Sequence, residues 1–166
     1  MNMNYLSGHQ MLFVDVAKQQ MRCYEKAQLF KVYDISTAKN GLGERNNSEC
    51  TPRGWHRVHN VIGRGMAVNT VFVARLNTGE IYTPELAAKH PLRDWILTRI
   101  IQLDGLEQGR NKEDEVDSLS RYIYIHGTPD TTQLGVPGSR GCIRMRNKDI
   151  IRLTDWIKID AYLHIT

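Results

Sequence analysis

Apolar and polar positions alternate over short distances through the first half of the chain. Met11–Val16 (MLFVDV) and Met21–Glu25 (MRCYE) are short apolar or alternating runs, and the polar Ala17–Gln20 between them reads as a hairpin. Leu29–Ile35 (LFKVYDI) predicts a third strand. Lys39–Pro52 is polar and Gly-rich, so it reads as a loop, and Trp55–Ile62 resumes a strand. Val71–Arg75 and Glu80–Thr83 flank Asn77-Thr78-Gly79, which predicts another hairpin. The pattern then changes. Pro91 suits the first turn of a helix, and Leu92, Trp95, Ile96, Ile100 and Leu103 follow at helical spacing until Gly105 supplies a stop. The stripe of Trp95, Ile96 and Ile100 is expected to pack into the core. Gly105–Ser120 is polar and acidic, a predicted loop, and Arg121–His126 (RYIYIH) is the clearest strand of the chain. Asn147 is a candidate N-cap for a short helix marked by Ile150, Leu153, Thr154 and Ile157, and Tyr162–Ile165 closes with a last strand. Many short strands, one inserted helix and a short helix behind Cys142 predict a mainly β fold, a β-sandwich or distorted barrel. No internal repeat and no interdomain linker is visible, so residues 1–166 read as one domain.

Composition changes this picture little. The 166 residues are 41% hydrophobic and 24% charged, ordinary for a globular domain large enough to bury a core without staples. The net charge is +4, and the basic residues are scattered apart from Arg140–Arg146. That leaves no footprint for nucleic acid, while the surplus suits an anionic small substrate. Met1–Gln10 has no basic n-region, no apolar h-region and no small-residue cleavage site, and no stretch approaches the ~20 apolar residues of a membrane span. Read so, no membrane insertion is expected and the chain is expected in the cytoplasm. A mature form with its signal trimmed would instead be periplasmic.

Cys23, Cys50 and Cys142 are odd in number and irregularly spaced, with no CxxC pair. A zinc site, a redox dithiol and a disulfide framework are therefore disfavoured, and no metal is expected. At least one thiol is free. The segment His126–Arg144, HGTPDTTQLGVPGSRGCIR, supplies a reason to single one out. A thiol is a useful nucleophile only as thiolate, which requires a base or a positive field nearby. Cys142 follows Gly141 at the end of a Gly/Pro/Ser loop, where small residues leave sulfur accessible and let backbone N–H groups point at an oxyanion. His126 ends a strand and precedes Gly127, at the rim of the sheet where a returning loop could meet it.

These residues resemble the signature of the L,D-transpeptidase catalytic-domain (YkuD-like) family: an HGT start, a Gly- and Pro-containing loop, then Ser-His-Gly-Cys-[Ile/Val]-Arg. The match falls on His126, Gly127, Thr128, Gly135, Pro137, Ser139, Gly141, Cys142, Ile143, Arg144 and Met145. The LxVDxxxQ hairpin (Leu12–Gln19), the YxxSTxxxGxG stretch (Tyr33–Gly43) and the TPxG turn (Thr51–Gly54) extend the resemblance over nearly the whole chain. Arg140 departs from it, standing where the family usually has His. The resemblance implies Cys142 as nucleophile and His126 as base, with the other ring nitrogen oriented by a backbone carbonyl. Gly127, Ser139, Arg140 and Gly141 then support the loop or the oxyanion, with Arg140 favouring the thiolate. Arg144, with Arg140, would hold substrate carboxylates. The implied substrate is a peptidoglycan stem peptide or muropeptide cut at the meso-diaminopimelate–D-alanine bond, without cofactor, and carbapenem-type inhibitors are implied partners.

Other residues carry less. Cys23 and Cys50 read as structural or incidental, and Gly41-Leu42-Gly43 lacks the third Gly and the helix of a dinucleotide fingerprint. His56 and His59 fall on opposite faces of a strand, which argues against a shared metal. Glu107, Asn111, Asp117 and Arg121 resemble a segment of signal-less proteobacterial members of the family, with a solvated loop as the alternative. The leading expectation is a cytoplasmic L,D-carboxypeptidase of murein recycling. A periplasmic L,D-transpeptidase is second, and a catalytically silent peptidoglycan-binding module third.

Overall fold

The computed structural model describes residues 10–166; the reading of Met1–Gln10 lies, but for Gln10, outside them. The strands are β1 (Gln10–Asp15), β2 (Gln20–Glu25), β3 (Gln28–Asp34), β4 (Gly54–Ile62), β5 (Thr70–Val73), β6 (Leu76–Ile81), β7 (Ile96–Gly105), β8 (Tyr124–Thr128), β9 (Ile143–Arg146) and β10 (Tyr162–Ile165). The helices are α1 (Pro84–Lys89) and α2 (Asn147–Trp156). All ten strands join one sheet in the order β3-β2-β1-β10-β4-β7-β5-β6, with β8 on β7 and β9 on β8. The sheet curls into a half-barrel. Most pairings are antiparallel; β1 with β10 and β8 with β9 are parallel. Leu12, Val14, Met21, Val58, Ile101, Leu103, Ile125, Ile143 and Leu163 form the concave core, and α2 closes it with Ile150 and Leu153. Complete burial of each of those two helix side chains contributes roughly 1.5–3 kcal/mol.

One predicted element is overturned. Pro91–Gly105 is not a helix. Ile96–Gly105 is strand β7, every residue after Ile96 is buried, and Leu92 is 89% exposed. A strand covered on both faces loses its period-2 signal, and the spacing of its apolar residues imitated a helix. The β-branched Ile96, Thr98, Ile100 and Ile101 are the residues that suit a pleated strand. The inserted helix lies earlier, at Pro84–Lys89. Thr83 caps it by accepting a hydrogen bond from the Leu86 N–H, and Pro84 occupies its first turn.

Other boundaries also move: the strand expected over Arg121–His126 is β8 at Tyr124–Thr128, so His126 is buried in its middle and does not end it at the rim. The β5–β6 hairpin turns at Ala74-Arg75, both at positive φ (47° and 71°), and Asn77-Thr78-Gly79 lies within β6, where the pairing register shifts. Asn147 is the first residue of α2, not its cap. Its amide instead accepts from Thr98 Oγ1 at 2.6 Å and donates to Asn69 Oδ1 at 2.8 Å. Thr98 itself sits at φ 72° where β7 breaks register with β8, so Asn147 fastens the start of α2 to that irregularity.

Candidate active site

The parallel pairing of β8 with β9 aligns Ile125 with Ile143 and His126 with Arg144. Ile125 and Ile143 point into the main core, so Tyr124, His126, Cys142 and Arg144 fall on the opposite face. Cys142 immediately precedes β9 and lies beside Tyr124, which makes it a diagonal neighbour of His126. There it packs against a second apolar cluster of Phe72, Ile100 and Tyr124.

The thiol is half-buried. Its S–H donates to the Tyr122 carbonyl at 3.3 Å, and the Tyr124 N–H donates to Sγ at 3.4 Å. Burial pushes the thiol up to about 12, and the Asp94 carboxylate acts in the same direction. The Tyr124 N–H and the charges of Arg144 and Arg121 oppose them. His126 is buried, and its Nδ1 donates to the Gly127 carbonyl at 2.7 Å. A carbonyl can only accept, so Nδ1 carries the proton and Nε2 is left as the basic lone pair. Burial, with the Arg144 charge, holds the imidazole below its ordinary value against the pull of Gly127 and Asp94. The resting pair is therefore a neutral thiol and a neutral imidazole.

The cysteine loop is tied down from several sides. Ser139 Oγ accepts from the Gly141 N–H at 3.2 Å and donates to the Cys142 carbonyl. The Gly138 and Ser139 N–H groups both donate to the Thr37 carbonyl, at 2.8 and 2.9 Å. Thr51 Oγ1 donates to the Gly141 carbonyl at 2.9 Å and accepts from the Ala38 N–H at 3.0 Å. Thr37 and Thr51 thus hold the loop that presents Cys142, and Ser36 pairs with Arg144 just beyond it. Gly141 adopts φ 132°, and an added Cβ would stand 3.3 Å from the Cys50 carbonyl oxygen. Its N–H is engaged by Ser139, so Ser139 and Gly141 act here as loop supports. At Gly127 an added Cβ would fall 2.4 Å from Asn147 Oδ1 and 2.6 Å from the Leu97 carbonyl oxygen. Only glycine lets β8 approach β7 and α2 this closely, and the same residue's carbonyl orients His126.

The arginines divide differently from the sequence expectation. Arg144 donates to Asp94 Oδ1 at 2.8 Å and to the Gly138 carbonyl at 2.9 Å, and its buried Nε has no partner among the described residues. Both terminal nitrogens of its fork are thus already used. Arg121 donates to the carbonyls of Gly43, Glu44 and Cys50 and to Ser48 Oγ, stapling residues 43–50 to the start of β8. Arg140 is exposed and lines a cleft of about 350 Å³ with Arg121, Tyr122 and Glu49. Positive charge acts on Cys142 from Arg144 and Arg121.

Sequence reasoning missed Asp94, which lies in the segment misread as helix, and the two Tyr122–Tyr124 backbone groups that hold sulfur. For the latter a signal existed: Tyr124 and His126 share strand parity. Asn111 is not solvated, and Glu107 is only partly so. Asn111 is fully buried and donates to the Arg53 and Trp55 carbonyls, while the Glu107 carboxylate accepts from the Trp55 N–H. Asp117 accepts from the Ser120 and Glu113 N–H groups. His56 is buried between the Gly54 carbonyl and Ser118 Oγ, and His59 is exposed. Cys23 is buried in the core and Cys50 is partly exposed. Among the described residues no group of three or more His, Cys, Asp or Glu could hold a metal.

A thiol and a base-ready imidazole on one face of a curled β-sheet form the layout of a cysteine acyl-transfer site. The sequence model of the L,D-transpeptidase catalytic domain, YkuD, matches residues 9–165, and the chain belongs to this enzyme family. A Bacillus licheniformis protein assigned as an L,D-transpeptidase of the YkuD type is 42% identical over 50 residues, 30% of each chain. An L,D-transpeptidase from Mycobacterium smegmatis superposes with a TM-score of 0.59 at 14% identity, covering 95% of this chain and 58% of that one. L,D-transpeptidase 3 from Mycobacterium tuberculosis, solved in complex with a faropenem-derived adduct, gives 0.58 at 12% identity, covering 95% and 60%. The chain thus spans about three fifths of the length of these solved relatives.

Proposed function

We propose that the chain transfers the acyl group of peptidoglycan stem peptides at the meso-diaminopimelate–D-alanine bond, with Cys142 as nucleophile and His126 as base. Water is the acceptor that completes the main reaction, which makes the protein an L,D-carboxypeptidase converting tetrapeptide to tripeptide. The observation that carries the reading is the geometry: Sγ lies on the same face as an imidazole whose Nδ1 is fixed by Gly127, with Nε2 left to accept a proton. Sγ attacks the carbonyl carbon while its proton passes to His126 Nε2. The C–N bond then breaks, the same proton leaves with the D-alanine amine, and a thioester remains on Cys142. A water molecule, deprotonated by Nε2, attacks the thioester and returns the thiol. The Gly127 carbonyl does the orienting work of a triad carboxylate by fixing the tautomer.

Trimming of tetrapeptides belongs with recycling, so the cytoplasm is the compartment we assign. A penem adduct on a structural neighbour supports carbapenem-type acylation of Cys142 as well. The test is incubation with a purified disaccharide-tetrapeptide, with and without a second stem, read by mass spectrometry. Tripeptide and free D-alanine are expected in both; a cross-linked dimer as main product would instead favour a periplasmic transpeptidase. His126→Gln should lose at least ~100-fold in rate, the scale of a positioned general base. Unchanged masses in every arm would overturn the reading.

A further inference from the structure

Proton transfer from Cys142 turns His126 into an imidazolium, and His126 is buried. A buried cation is costly unless an anion compensates it. The Gly127 carbonyl fixes the ring and its tautomer, but it carries no net charge. In a carboxylate triad the acid does both jobs, orienting the imidazole and stabilising the charge it acquires. In this site the second job needs another group.

Asp94 is placed to fill it. Strand β8 runs between β7 and β9, with His126 aligned to Ile100 on one side and to Arg144 on the other. Asp94 belongs to the segment that leads into β7, and its Oδ1 accepts from Arg144 on β9 at 2.8 Å. This ion pair therefore reaches across β8 on the face that carries His126 and Cys142. Among the described residues, the charged groups that act on His126 are Asp94 and Arg144, and the pull of Asp94 toward the charged imidazole outweighs the opposition of Arg144. Cys142 feels the same two charges and that of Arg121.

We propose that Asp94 is a positioning residue that acts through His126, its carboxylate serving as counter-anion to the imidazolium formed when Cys142 attacks. The assignment rests on the acyl-transfer reading above and adds a residue to it. The same carboxylate disfavours a free thiolate at Cys142. The two effects do not cancel during turnover. As the S–C bond forms, negative charge leaves sulfur for the substrate's carbonyl oxygen, while the positive charge stays on His126 until the amine departs with the proton.

Asp94→Asn separates the two effects. Its kcat on the disaccharide-tetrapeptide at pH 8 should fall about tenfold, the scale of one nearby charge. The acid limb of its kcat profile should move to lower pH, because the imidazole has lost an anion. Alkylation of Cys142 by iodoacetamide should quicken in the same variant, so turnover and thiol reactivity move in opposite directions. Asp94→Glu should restore both turnover and the acid limb. NMR titration of His126 in Cys142→Ala, with and without Asp94→Asn, reads the charge contact without turnover, and the double variant should titrate at lower pH. Turnover lost with the acid limb and the NMR titration unmoved would mean that Asp94 merely holds Arg144, which overturns the proposal, as would unchanged turnover. Wild-type protein inactive on the stem would fail the acyl-transfer reading instead. The NMR titration then decides for Asp94 alone: a shift upholds the charge contact, and coincident curves refute it.

Discussion

The charge state of the Cys142–His126 pair makes a quantitative prediction about reactivity. Burial raises the thiol from 9.0 to about 12. Three pKa units reduce the thiolate fraction about 1,000-fold, so at pH 7 about one molecule in 10⁵ carries it. Alkylation of Cys142 by iodoacetamide, followed by peptide mass spectrometry so that Cys50 is scored separately, should be slow at neutral pH. It should rise about tenfold per pH unit without levelling off through pH 10. The Asp94 carboxylate raises the thiol and also holds Arg144, so Asp94→Asn removes an anion and frees a cation together. Its alkylation rate at pH 8 should exceed wild type by about tenfold, the effect of one nearby charge. Arg144→Gln should act in the opposite sense. Turnover follows another rule, because His126 takes the proton only as sulfur attacks. Its imidazole is held below 6.5, so kcat should stay level from pH 8 to below pH 6.5 and fall only as Nε2 protonates. A plateau in the alkylation profile of Cys142 near neutrality would mean a preformed thiolate–imidazolium pair and refute the reasoning.

Cys142→Ala should abolish turnover and keep the fold, while Cys23→Ala and Cys50→Ala remain active; activity that survives in Cys142→Ala would move the nucleophile elsewhere. Gly127→Ala should destabilise by about 3 kcal/mol, since its Cβ meets a backbone carbonyl at 2.6 Å, and should slow turnover by shifting the carbonyl that orients His126. An unchanged urea midpoint would contradict that packing. His56 is buried with its pKa lowered from 6.5 to about 4, so the unfolded chain binds more protons between those values. Stability conferred above pH 6.5 should be lost as pH falls to 4, by about 3 kcal/mol from this residue. Urea midpoints at pH 7 and pH 4.5 that coincide would exclude it.

How far the sequence carried differs from element to element. Tyr162–Ile165 was read to the residue, and β1 to β4 within one or two, because each has a polar neighbour or an exposed face that breaks its pattern. Strand β7 was illegible for the opposite reason: buried on both faces, it shows only an apolar run whose spacing fits a helix as well. The Ala74-Arg75 turn uses two residues that do not advertise positive φ, while the Asn-Thr-Gly triplet that does advertise a turn lies inside β6. In the site, Cys142 and His126 were legible as chemistry and as resemblance, and the parallel register of β8 with β9 explains how they come to share a face. Asp94 and the tether made by Arg121 were not, since a contact between residues far apart in sequence leaves no local mark. Arg144 and Arg140 were both identified as charged, but which of them is free depends on Asp94, whose position only the fold reveals.

The pairing of β1 with β10 constrains how such a chain can be made. Met11 through Val14 lie beside Tyr162 through Ile165, between β2 and β4 in the middle of the sheet. A nascent chain on the ribosome therefore holds an open seam along β1 until Ile165 emerges, with Leu12 and Val14 lacking the neighbours that cover them. Folding cannot be completed stepwise during synthesis, and release of a chain ending before Tyr162 would leave a sheet split down its centre.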